Sequence, residues 1–128
     1  MRTPRSPQKG KARRSVSLPL SVKLPPKKVR GKFLIIYELE GCQKAVNYLT
    51  KYYGVRRMRI VLNGKKVGRN CVGYYLKNTA CFTKNGLRRR IVLHELYHHL
   101  VESMRLELPL RAEEKEADNY AKSIVKGD

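Results

Sequence analysis

All three histidines of this 128-residue chain fall within one stretch, Leu93-His94-Glu95-Leu96-Tyr97-His98-His99-Leu100. Leu93, Leu96, Leu100 and Met104 recur at i, i+3, i+7 and i+11, so the stretch reads as a helix with an apolar stripe. The spacing predicts that helix from about Gly86 to Glu107, capped by Asn85 and stopped by Pro109. Residues four apart on a helix project from one side, one turn apart. His94 and His98 therefore share a face, and two neutral imidazoles there can hold one Zn2+ at about 2.0–2.1 Å. Glu95 stands beside the first of them and can reach a metal-bound water without binding the metal, which makes it the candidate general base. His99 is turned about 100° from His98 and cannot join the same tetrahedral site, so it is expected on the surface or behind the ligands.

A hydrolytic zinc site needs a third protein ligand and an open position for water. No histidine follows His99, so the third ligand should be a carboxylate. Glu102 lies about 12 Å along a straight helix from His94 and ranks low. A final helix from about Leu110 to Lys126, with Ala117, Tyr120, Ala121 and Ile124 as its apolar face, offers Glu113, Glu114 and Glu116. Glu116 projects about 160° away from Glu114. Glu113 and Glu114 flank the apolar face on opposite edges, and Asp118 shares the edge of Glu114 one turn on. Periodicity favours Glu114 as ligand, with Asp118 accepting a hydrogen bond from a ligand imidazole, and leaves Glu113 open. Without the histidines, the same acids would read as a solvated helix start favoured by the helix dipole.

The rest of the domain reads as α+β. Phe33–Tyr37 (FLIIY) suits a strand or a helix. From Glu38 the pattern is helical, with Cys42, Ala45, Val46 and Leu49 on one face and Gly54 as the stop. Strands are predicted over Val55–Asn63, Asn70–Lys77 and Ala80–Lys84, with Asn63-Gly64 and Asn78-Thr79 as turns. Joined in sequence, they make a three-stranded antiparallel meander carrying segregated helices.

Charge divides the chain. Residues 1–32 hold 11 of the 29 basic residues, 5 of the 6 prolines and no acid. Such a segment buries too little apolar surface to offset its ordering entropy, and reads as a basic, disordered arm. Within it, the apolar stretch Val16–Leu24 could lie extended on the domain. Residues 33–128, with 18 basic and 10 acidic side chains, form the folded domain. The overall charge of +19 suits nucleic acid, bound through the arm by counterion release. No apolar run is long enough to span a membrane. The basic N-terminus lacks the apolar core of a signal peptide. Three widely spaced cysteines without a CxxC argue against a disulfide framework, and the expected location is the cytoplasm.

The residues His94-Glu-Leu-Tyr-His98 and Glu114-Lys-Glu-Ala-Asp118 resemble the paired motifs of gluzincin metallopeptidases, HExxH on one helix and ExxAD on a following glutamate helix. With a backing helix, three strands, an active-site helix and a glutamate helix, residues 38–125 resemble the minimal archaeal minigluzincins. The resemblance implies His94, His98 and Glu114 as zinc ligands, Glu95 as general base and Asp118 as the accompanying carboxylate. An oxyanion-stabilising Tyr or His is not evident from the motif, and Tyr120 and His99 are its candidates.

Three functional classes are then expected. The first is a zinc endopeptidase that binds an extended peptide along an exposed edge strand, residues 80–84. The second is a basic nucleic-acid-binding protein with a vestigial or structural metal site. The third is a regulatory protease confined to one partner protein.

Overall fold

The computed structural model describes residues 22–62, 73–83 and 87–126. Helices α1 (Lys27–Glu40) and α2 (Cys42–Tyr53) precede strands β1 (Arg59–Leu62), β2 (Gly73–Leu76) and β3 (Thr79–Phe82), and α3 (Arg89–Ser103) and α4 (Leu110–Lys126) follow. The architecture is α+β, with these four helices on a three-stranded mixed sheet.

Helix α3 is the axis of the core. Val92, Leu93, Leu96, Tyr97 and Leu100 are all buried, and so are Glu95 and His99, which leaves little of its circumference to solvent. Helix α4 closes one side with the face expected from its periodicity, Ala117, Tyr120, Ala121 and Ile124, all buried. The Tyr97 and Tyr120 rings meet there with centroids 5.3 Å apart. Ala45, Val46 and Leu49 of α2 close another side, and Ala80 and Phe82 of β3 a third.

Two boundaries differ from the sequence reading. The arm expected over residues 1–32 gives way to helix well before its end, since α1 begins at Lys27 with Pro26 as its N-cap. Buried Phe33 and Leu34 anchor this helix, and Lys and Arg are good helix formers, so its cationic first turns follow the anchor into order. Ahead of it, the Val22 N–H donates to the Tyr97 hydroxyl (3.4 Å) and Tyr53 donates to the Lys23 carbonyl (2.7 Å). Residues 1–21, with most of the expected arm, lie outside the described residues. The helix expected from Glu38 is interrupted at Gly41, whose φ of 99° is open to glycine and strained for other residues. Gly54, at φ 72°, ends α2 in the left-handed conformation expected of a C-cap.

The antiparallel meander is corrected. The strand order is β1-β3-β2, with β1 parallel to β3 and β2 antiparallel to it. β3 is therefore the central strand, not an exposed edge. Its burial explains this: Ala80 and Phe82 are fully covered, whereas Arg59 and Leu62 of β1 and Leu76 of β2 are exposed. The tight turn is Lys77-Asn78, one residue earlier than expected. Both residues have positive φ (47° and 63°), the sign that a two-residue type I′ hairpin demands. The Asn63-Gly64 turn and the Asn85 cap lie outside the described residues. On the outer side of β1, Gln43 of α2 serves as a partner, accepting from the Ile60 N–H (2.9 Å) and donating to the Met58 carbonyl (3.0 Å). No helix among the described residues is long and apolar enough to cross a membrane.

Candidate metal centre

Because the apolar face of α4 packs on α3, the acids on the two edges of that face in its first turns come over the histidine face of α3. Four polar contacts result. His94 Nδ1–H donates to Asp118 Oδ1 at 2.8 Å, and His98 Nδ1–H donates to Glu113 Oε2 at 2.5 Å. On the other side of each ring, Glu114 lies between the two, with Oε1 3.1 Å from His94 Nε2 and Oε2 2.9 Å from His98 Nε2. The two Nε2 atoms are 3.2 Å apart.

An ionised carboxylate only accepts hydrogen bonds, so Asp118 and Glu113 fix the proton of each neutral ring on Nδ1. Both Nε2 lone pairs then point at one another and at the Glu114 carboxylate. In that tautomer three acceptors converge, an arrangement that a bound cation, or a proton on one of the rings, resolves. The size fits as well. Tetrahedral ligands about 2.05 Å from zinc stand roughly 3.3 Å from each other, close to the separations found. His94, His98 and Glu114 thus form a group that could hold a metal ion.

Glu95, on the same turn, is buried among these groups. Burial pushes its carboxyl above the usual carboxylate range, and Glu114 adds to this while the two imidazoles oppose it. Next to the group lies a cleft of ≈ 600 Å³. Gly73, Tyr74 and Tyr75 of β2 line one side of it, and Glu113 and Glu114 of α4 another, with His94, Glu95 and His98 between. Gly73 leaves room for the ring of buried Phe82, its cross-strand partner on β3: a Cβ there would stand 2.7 Å from that ring. The strand bordering the site is therefore β2, the outer strand of the sheet among the described residues. It is not the 80–84 segment, whose described part is the central strand.

The expected ligand set and Asp118 come together as a cluster. The two oxyanion candidates do not join it. Tyr120 is buried in the core on the face of α4 that packs on α3, and its hydroxyl donates to Tyr53 at 2.9 Å. His99 is fully buried; its Nε2–H donates to the Arg56 carbonyl (2.6 Å), and its Nδ1 faces the Tyr75 hydroxyl at 3.0 Å. Burial lowers the pKa of its ring, against the Arg56 carbonyl and Glu102, which raise it. Glu102, ranked low as a ligand, instead accepts from the Tyr75 hydroxyl. Sequence reasoning missed the role of Glu113, weighed only as a rival to Glu114. The signal was present: two ligand rings need two Nδ1 acceptors, and Glu113 lies on the opposite edge from Asp118.

Comparison with protein-family models, with curated proteins and with solved structures gives no match to this chain. What the site can do is therefore read from its own chemistry.

Proposed function

We propose that the chain is a zinc-dependent metallopeptidase. The observation that carries this reading is the convergence of two Nε2 lone pairs and the Glu114 carboxylate, with buried Glu95 beside them. Two nitrogens and one carboxylate oxygen are the donor set of catalytic zinc sites that keep one position open for water. A divalent cation bound there lowers the pKa of water and polarises a carbonyl oxygen.

The remaining work falls to the chain itself. Asp118 and Glu113 hold the two rings in the Nδ1–H tautomer, so both Nε2 lone pairs stay aimed into the site. Glu95 takes a proton from the attacking water and delivers it to the leaving amine. The raised affinity of its carboxyl for a proton suits the first half of that transfer. The cleft that β2 borders has room for an extended peptide, which would pass along it beside the metal group.

The test is cleavage of an unfolded protein by the full chain, metal-free and zinc-loaded, beside Glu95→Gln. Zinc should switch cleavage on. The substitution should lower it about 10²- to 10⁴-fold, the usual contribution of general acid–base catalysis. Cleavage that survives Glu95→Gln unchanged would overturn the mechanism.

A further inference from the structure

A second cleft, of ≈ 530 Å³, opens where α3 ends and the β2–β3 turn passes over it. Arg56, Lys77 and Arg105 line it, together with Asn78, Ser103 and Glu102. Among the described residues none of the three cations makes an ion pair, and all three are exposed. The single acid, Glu102, is already engaged by the Tyr75 hydroxyl.

Two of these cations occupy backbone positions that suit other residues better. Arg105 has φ 55° and follows the C-cap of α3. Its N–H bonds back to the Glu102 carbonyl (3.2 Å) and the Leu106 N–H to the Val101 carbonyl (3.0 Å). That pair of bonds is the Schellman helix ending, whose left-handed residue is usually glycine. Lys77, at φ 47°, takes the first position of the tight hairpin, where Asn, Asp or Gly is usual. Neither turn calls for a cation on conformational grounds, yet both carry one, and both line the same cleft.

The cleft continues the first one. Glu102 lines both, and β2 runs from one to the other, with Gly73, Tyr74 and Tyr75 on the metal-site cleft and Lys77 on the basic one. A strand rises about 3.3 Å per residue, so Tyr74 and Lys77 are separated by about 10 Å. Along α3, His98 and Arg105 are separated by about the same distance. A peptide extended from the metal-site cleft into this one, with its scissile bond at the metal group, would bring a residue about three positions away among the three cations.

We infer that the Arg56/Lys77/Arg105 cleft is a specificity subsite that selects peptides with a carboxylate two to four residues from the scissile bond, on one side of it only. The inference rests on the peptidase reading. A recessed pocket bounded by a helix end and a hairpin suits a single side chain or a chain terminus better than a nucleic-acid backbone, which tracks an open groove.

The experiment is a cleavage profile. The zinc-loaded full chain digests a mixed library of unstructured peptides, half with free and half with amidated C-termini, and every cut is read by mass spectrometry. Asp and Glu should be enriched roughly tenfold at one or two positions on one side of the cut, since each exposed charge pair adds only a few-fold. Enrichment that depends on the free terminus instead assigns the subsite to the chain's own end carboxylate. High salt should flatten either preference. In the double variant Lys77→Gly/Arg105→Gly the preference should vanish while cleavage of neutral peptides persists. Its melting temperature should be unchanged or higher, because glycine suits both positions. Cleavage without acidic preference, or a preference unchanged in the double variant, overturns the subsite and leaves the peptidase reading standing. No cleavage by the zinc-loaded chain overturns both. Duplex DNA binding that disappears in the double variant, with peptide preference unaltered, assigns the cleft to phosphate and also overturns it.

Discussion

His94 and Asp118 are joined by a 2.8 Å hydrogen bond from Nδ1–H to Oδ1, while the other nitrogen of the same ring faces Glu114 at 3.1 Å. One helical turn of α4 thus supplies both the acceptor that orients the ring and the carboxylate beside its free lone pair. His98 has the same arrangement with Glu113 as its acceptor. Asp118→Ala and Glu113→Ala should each weaken zinc binding about 10- to 100-fold without abolishing it, as loss of such orienting partners does elsewhere. Competition with a chromophoric chelator measures this. Equal affinity in either variant would remove the orienting role from that residue.

His99 sits next to a proposed ligand in sequence but belongs to the fold. Its ring ties the Arg56 carbonyl to α3 inside the core. His99→Leu should therefore lower stability by about 1–3 kcal/mol, the cost of a buried acceptor left without its donor. Metal content should stay unchanged. Urea unfolding beside metal analysis separates the two roles, and a variant that loses its metal while keeping its stability would place His99 in the site.

The Tyr120–Tyr53–Lys23 chain of hydrogen bonds predicts alkaline sensitivity. Tyr120 donates to Tyr53, and Tyr53 to the Lys23 carbonyl. Burial raises both hydroxyl pKa values above the ordinary tyrosine range. In the unfolded chain a tyrosine ionises near pH 10, so above that pH the folded state retains protons that the unfolded state releases. This contribution is complete below about pH 10 and is lost as pH rises beyond it. Tyr120→Phe should flatten the fall in stability above that pH, as read by unfolding at a series of alkaline pH values. An unaltered slope would contradict the burial argument.

What the sequence made legible was what periodicity and short spacing encode. The α4 boundaries and its buried face, the stop at Gly54 and the cluster of His94, His98, Glu114 and Asp118 follow from positions within one or two helices. Sheet order was not legible, because it depends on which strand buries most. Ala80 and Phe82 make β3 the centre, and no local signal ranks it above β1 or β2. The start of α1 was hidden for a related reason. Charge, with Pro25 and Pro26 just ahead, argues for disorder over residues 27–32, but the anchor that orders them, Phe33 and Leu34, lies just beyond. Periodicity had already placed Tyr120 on the buried face of α4, which keeps it from the site, whereas the proximity of His99 to His98 in sequence says nothing of which side of α3 faces the core.

The most direct test of the central claim is metal content per chain. The 128-residue chain is purified without added chelator, reconstituted with zinc, desalted and measured by elemental mass spectrometry beside Glu114→Ala. The account predicts one zinc per chain in the parent and a large loss in the variant, with the fold of both intact by circular dichroism. A parent that retains no metal, or a Glu114→Ala variant that retains it as well as the parent does, would contradict it.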